Sequence, residues 1–132
     1  MKVKLAFATS CLILLLAGCT ASGPRYSLVN LPSGRQVKVL AVVPMHFSAG
    51  APALMLQYQT DYKISDQAEL RKEVDEIWSY FKTDVEKGNF TSAIISANEV
   101  PHGFIVKNGR TYNFVFEKQP DGTWQCLDDK KK

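Results

Sequence analysis

The stretch "DQAELRKEVDEIWSYFKTDVEKG", residues 66 to 88, decides the fold because it predicts a helix with a single apolar stripe. Asp66 followed by Glu69 resembles a capping box, and Gly88 suits the end of a helix. The apolar residues recur at spacings of four, three, four and four, which places them on one face of a 3.6-residue period: Leu70, Val74, Ile77, Phe81 and Val85. We therefore expect an amphipathic helix from about residue 66 to residue 87.

The rest of this helix surface is charged. Glu73, Asp75 and Glu76 are predicted to lie on the polar side, where contact with water explains them without a catalytic role. Trp78 falls at the edge of the apolar stripe. A coiled-coil seam is the alternative, but the stripe spans three heptads at most and has Trp78 at its edge, which favours packing on the chain's own sheet.

Strand patterns flank the helix on both sides. Pro32 and Gly34 predict a hairpin turn, and the Asn-Gly pair at 108–109 predicts another, which would place Ile105 opposite Tyr112. The predicted strands cover residues 26–31, 36–43, 53–62, 90–97, 103–107, 111–117 and 123–127.

This order of elements predicts an α+β fold, in which a mostly antiparallel curved sheet of about five to seven strands packs on one long amphipathic helix. The domain is expected to occupy residues 28–127, with a charged tail at 128–132. Because one helix covers one face of a sheet, the other face must be solvated, partly covered by the loop at 44–52, or used for binding.

The first 18 residues form three zones. A cationic start, "MKVK", precedes an apolar run from Leu5 to Ala17, and small residues follow just before Cys19. This layout predicts a signal peptide over residues 1–18. The apolar run is shorter than the roughly 20 residues that a membrane-spanning helix needs.

The end of this segment, Leu16, Ala17, Gly18 and Cys19, resembles the lipobox of bacterial lipoprotein precursors. The resemblance implies that the signal is cut just before Cys19, and that this cysteine carries a thioether-linked diacylglycerol and usually a further acyl chain on its amino group. It implies lipid anchorage in the cell envelope. Thr20 stands where an aspartate is associated with retention at the inner membrane, which implies the outer membrane, facing the periplasm.

Residues 19–27 are predicted to form the lipidated N-terminus and a flexible linker, because they are small, polar and interrupted by Gly23 and Pro24. Eight extended residues reach at most about 28 Å, so the folded domain should stay close to the membrane. Cys126 is then the one cysteine left in the domain, and we expect a buried structural thiol rather than an interchain bridge or a nucleophile.

Charge and motifs exclude several classes of function. Lys2 and Lys4 supply two of the three net positive charges, so the remaining chain is near neutral and gives no electrostatic case for nucleic acid. His46 and His102 each stand in a loop next to a proline, without the spacing of a metal site. We therefore predict no catalytic residues, no metal and no cofactor.

Three functions remain open. The first is a non-enzymatic binding or assembly module that holds another envelope protein through Met45, His46, Phe47 and Met55, whose methionines would form an adaptable surface. Core packing is the alternative role for the apolar members of this set. The second function is an inhibitor or immunity protein against an envelope-active toxin or hydrolase.

The third function is a small envelope hydrolase that uses His46, His102 and Glu99. The sequence has no nucleophile elbow and no phosphate-binding glycine loop to support it. Small size and the missing catalytic motifs favour the binding module.

The lipobox predicts the behaviour of Cys19→Ser. We expect an unlipidated precursor that no longer partitions with membranes, because the thiol that accepts the lipid is gone. Membrane fractionation with a high-salt wash, together with mass spectrometry of the N-terminus, measures this. Full retention of the variant in the washed membranes would contradict the predicted anchor.

Overall fold

The computed structural model describes residues 25–104 and 109–128. The predicted signal peptide, the lipobox with Cys19, most of the linker and most of the charged tail lie outside the described residues. So do residues 105–108, which include part of the strand predicted at 103–107.

The α+β prediction is confirmed. One helix packs on a sheet of six strands whose spatial order is the same as their order in the sequence. The elements are β1 Ser27–Asn30, β2 Gln36–Met45, β3 Ala53–Thr60, α1 Gln67–Lys87, β4 Ser92–Glu99, β5 Thr111–Lys118 and β6 Trp124–Cys126. The helix has 21 residues and begins one residue after the predicted start.

The sheet is antiparallel except at its centre. β3 and β4 are parallel, from the pair Ala53 and Ser92 to the pair Thr60 and Glu99, and α1 connects them. A parallel pair needs such a crossover because a short turn cannot reverse the chain direction twice. The predicted hairpin between the first two strands is confirmed, and the Leu31 N–H donates to the Arg35 carbonyl across its turn at 2.7 Å.

The prediction of a strand at 103–107 is wrong for the two of these residues that the structure describes. Gly103 and Phe104 are not in a strand, and β5 pairs along β4 instead, with Phe114 opposite Ile95. The predicted hairpin would have placed Gly103 opposite Phe114, where it has no side chain to pack. In the observed sheet Ile95, with a fully buried side chain, lies opposite Phe114 and packs across the strand pair.

The predicted apolar stripe of α1 forms the core. All five of its members are fully buried against the sheet: Leu70, Val74, Ile77, Phe81 and Val85. Trp78, at the edge of the stripe, stacks on Phe116 with the ring centroids 4.2 Å apart. Cys126 is 3% exposed and forms no disulfide, which confirms the buried thiol.

Glu73 corrects the prediction of a solvated carboxylate. Only 2% of its surface is exposed, while Asp75 is exposed as expected. The Thr60 hydroxyl donates to Glu73 Oε1 at 2.6 Å, and Arg35 Nη1 lies 2.8 Å from Oε2. Glu73 is three residues after Leu70, so it belongs to the buried stripe by spacing and needs these partners.

The buried carboxylate attaches the β1–β2 turn to the helix. Arg35 reaches Glu73 from this turn and also lies over the Tyr62 ring, 4.2 Å from its centroid. Glu76, one helical turn later, accepts the Ser33 N–H at 2.8 Å. Burial, with the Glu73 charge adding to it, raises the pKa of Tyr58 above its usual range, so this phenol stays neutral beside the carboxylate.

The packing of α1 predicts that Phe81→Ala lowers the free energy of unfolding by about 3–5 kcal/mol, because a fully buried ring is replaced by a cavity. Denaturant unfolding measures it. The matched control is the neighbouring Tyr80→Ala, which removes a ring that is 40% exposed and should cost at most about 1 kcal/mol. Equal losses for the two variants would contradict the packing.

Candidate functional site

The sheet has one covered face and one open face. The stripe of α1 packs against the face that carries Leu54, Leu56 and Tyr58 of β3. Successive side chains of a strand point to opposite faces, so Met55 and Gln57 belong to the other face. No element among residues 25–104 and 109–128 forms a second core layer over that face.

An apolar row crosses the open face. Val43 pairs with Met55, Met55 pairs with Ile94, and Ile94 pairs with Val115, so four neighbouring strands contribute one residue each. Directly paired residues share a face and lie about 5 Å apart. None of these four residues belongs to the hydrophobic core; Val43 is 36% exposed and the other three are half-buried. We call these four residues the apolar row.

Polar residues border the apolar row. On one side the next register position carries Gln57, Ser96 and Asn113. The position beyond it carries Asn98 and Thr111, and the Thr111 hydroxyl donates to Asn98 Oδ1 at 2.8 Å. An apolar centre with hydroxyl and amide groups at its rim is the usual anatomy of a protein-binding surface.

The structure divides the four predicted binding residues into two pairs. Met45 and Met55 lie on the open face in adjacent register positions, and Met55 is part of the apolar row. His46 and Phe47 lie in the loop after β2, and both are exposed. Met45, Met55 and Phe47 all lie outside the hydrophobic core, so the alternative of core packing does not account for them.

Sequence reasoning missed the rest of the apolar row. The sequence predicts strands that contain Val43 and Ile94, but the face of the sheet that each residue occupies depends on the register between strands. Val115 was assigned to the predicted hairpin partner of residues 103–107. The alternation within each strand is the signal that could have found them, once the neighbouring strands were known.

The structure does not bring the three hydrolase candidates together. His46 follows β2 at the end of the sheet where β3 and β4 begin, whereas Glu99 is the last residue of β4. The pairing of β3 with β4 over eight residues puts these ends about 23 Å apart, at roughly 3.3 Å per residue. His46 therefore lies at the other end of the strands from Glu99.

Glu99 and His102 line an open cleft at that far end. The cleft has a volume of ≈ 340 Å³, and Lys63, Ser65 and Arg110 also line it. Glu99 Oε1 accepts the Ile64 N–H at 2.6 Å, and Oε2 accepts the Arg110 N–H at 3.4 Å. The bond from Ile64 is the main reason that the pKa of Glu99 is lowered, with the Arg110 N–H and the charge of His102 adding to it.

These hydrogen bonds give Glu99 a structural role. Its carboxylate joins the segment before α1 to the segment before β5, and a lowered pKa makes it a weaker base. Within residues 25–104 and 109–128, no three His, Cys, Asp or Glu side chains are grouped so that they could hold a metal ion.

Comparison with protein-family models, with curated proteins and with solved structures finds no match to this chain.

The lowered pKa of Glu99 predicts a pH-dependent effect of Glu99→Gln. A carboxylate whose pKa is lower in the folded state stabilises the fold above its unfolded pKa of about 4.3, and this contribution disappears as the pH falls through the folded pKa. We expect the variant to be less stable than the wild type at neutral pH, and the difference to shrink in acid.

Urea unfolding over a pH series measures this difference. The control is Glu117→Gln, an exposed carboxylate on the open face, which should change stability little at any pH. A Glu99→Gln effect that stays constant down to strong acid would contradict the role of the charge.

Proposed function

We propose that this chain is a lipid-anchored, non-enzymatic binding module of the bacterial cell envelope, which faces the periplasm from the outer membrane and holds another envelope protein on the open face of its sheet. The observation that carries the proposal is the apolar row of Val43, Met55, Ile94 and Val115, which lies outside the core on the face opposite α1.

The anchorage in this proposal is supported by the sequence. Leu16 to Cys19 resemble a lipobox, which would supply a lipid in place of a membrane-spanning segment. Among the residues that the structure describes, no helix has the length and apolar character needed to span a membrane. Thr20 supports the outer membrane through the same resemblance.

The shape of the open face supports a macromolecular partner. The apolar row extends over four strands, or about 14 Å at roughly 4.8 Å per strand. A row of this length across a sheet face suits a macromolecule, since small molecules are usually bound in pockets that enclose them. The partner would place apolar side chains on the row and hydrogen-bonding groups against Gln57 and Asn113, whereas Ser96 between them is buried.

Methionine suits the centre of such a surface. Met55 has an unbranched, polarisable side chain that adjusts to the shape of a partner. Its sulfur already lies 3.4 Å from Gln57 Nε2, at the boundary between the apolar row and the polar rim.

Site-specific photo-crosslinking in intact cells tests the proposal. A photoreactive residue at Met55 should give one discrete adduct with an envelope protein, and the same residue at Tyr80, exposed on α1, should not. Ile94→Asp should reduce the Met55 adduct by more than about tenfold, because a charge buried without a partner in an interface costs more than 1.4 kcal/mol.

Thr111→Asp is the matched control, since it adds the same charge to the polar part of the open face, outside the apolar row. Denaturant unfolding of both variants confirms that they remain folded. Equal adducts at Met55 and Tyr80, or equal effects of the two aspartates, would refute the open face as the binding surface. If the captured protein is an enzyme that the purified chain inhibits, the inhibitor function replaces the assembly function.

A further inference from the structure

Exposed apolar side chains concentrate at one edge of the sheet. Among the described residues, nine large apolar side chains are markedly exposed, and six of them belong to β1, to β2 or to the residues next to these strands. Four of the six define what we call the β2 edge: Tyr26 at 47% exposure, Leu40 at 40%, Val42 at 44% and Phe47 at 48%. Neither the core nor the apolar row accounts for these four side chains.

The β2 edge is open because β1 is shorter than β2. The pairing of the two strands runs from Asn30 and Gln36 to Ser27 and Val39, whereas β2 continues to Met45. Beyond Val39, no strand in the described part of the chain pairs with the outer side of β2. Proteins usually protect such an edge, because its free N–H and C=O groups and apolar side chains attract other strands.

The chain towards Cys19 leaves the domain at this edge. β1 runs antiparallel to β2, so the residues before Ser27 lie beside Leu40 to Val42, where Arg25 and Tyr26 line a shallow groove of ≈ 240 Å³. The six residues from Cys19 to Pro24 reach at most about 21 Å. A lipid on Cys19 would therefore hold the membrane within that distance of the β2 edge.

The charge distribution also suits this edge to a membrane. All 13 acidic residues of the chain lie at or after Asp61, so β1, β2 and β3 carry no carboxylate side chain. Their flanks and surfaces carry Arg25 and Lys38 instead, and the Lys38 ammonium lies 5.3 Å from the centroid of the Tyr26 ring. Anionic phospholipids attract basic residues at short range and repel carboxylates.

We infer that the β2 edge rests on the surface of an anionic phospholipid bilayer, with Tyr26 and Phe47 at the boundary between headgroups and acyl chains. Aromatic side chains favour that boundary. The contact is interfacial, because the free backbone groups of β2 need headgroups or water as partners and could not enter the hydrocarbon. This inference rests on the proposed lipid anchorage and adds the orientation of the domain.

The orientation has consequences for the rest of the surface. The loop with His46 and Phe47 faces the bilayer, and β6, at the opposite edge of the sheet, is the most distant strand from it. Glu99 and the cleft lie two strands in from β2, at the other end of the strands from this loop. Phe104, a fully exposed ring that follows Glu99 and His102, then points into the periplasm in spite of its apolar character.

Spin labelling of the lipidated protein in vesicles tests the inference. The vesicles contain phosphatidylcholine and phosphatidylglycerol, and single labels are attached at Phe47→Cys and Val42→Cys. Cys126 is buried, so the introduced thiol takes the label. We expect the ratio of oxygen accessibility to nickel-chelate accessibility to be several-fold higher at both positions than in an exposed aqueous site. The matched controls are Tyr80→Cys on α1 and Phe104→Cys at the far end, both of which should remain aqueous.

The outcomes separate the orientation from the anchorage. Mass spectrometry that finds no lipid on Cys19 would refute the anchorage and with it the orientation. A lipidated protein whose label at Phe47 is as aqueous as the label at Tyr80 would refute the orientation alone. Labels that enter the bilayer equally at Phe47 and Phe104 would also refute it, because the domain would then have no preferred edge.

Discussion

The structure depends on one constraint: a single helix crosses between the two parallel central strands, so within residues 25–104 and 109–128 the core layer covers one face of the six-stranded sheet. The stripe of α1 is continuous from Leu70 to Val85, and its burial against β3 and β4 supplies the core of the domain. The opposite face has no second layer within the described residues, and its apolar residues stay outside the core. The surface that we propose for binding is therefore a direct consequence of the crossover.

Glu73 shows how charge fixes the geometry of that core. A buried carboxylate loses its hydration, and an ion pair seldom repays this loss in full, so the contact with Arg35 is weak evidence for stability. Glu73 bears most of the free-energy cost of desolvation, because its side chain is 1% exposed while the Arg35 side chain is 33% exposed. The ion pair between Arg35 and Glu73 positions the β1–β2 turn. Together with the hydrogen bond from the Ser33 N–H to Glu76, it holds this turn against the first half of α1.

Local patterns predicted the elements well, and long-range pairing limited the prediction of the site. The helix, the first hairpin and β3 follow from spacings and turn residues within about 20 positions, where local chemistry decides. The Asn-Gly pair favours a short hairpin, whereas the described residues Gly103 and Phe104 lie outside any strand and β5 pairs with β4. Met45 and Met55 belong to the predicted binding set with His46 and Phe47 because the four residues lie in or near one loop. Ile94 and Val115 join them only through the registers of three strand pairs, which no single segment encodes.

A bulge at Leu40 links the open face to the β2 edge. Val39 pairs with Tyr58 and Ala41 pairs with Gln57, so two steps along β2 correspond to one step along β3. An extra residue reverses which side chains point to each face. Without it, Val43 would point to the helix side with Val37 and Val39, and the apolar row would end at Met55. With it, Val43 and Met45 reach the open face, and Leu40 is left at the edge where β1 ends. One inserted position therefore sets the width of the proposed binding surface and places Leu40 at the edge that we assign to the bilayer.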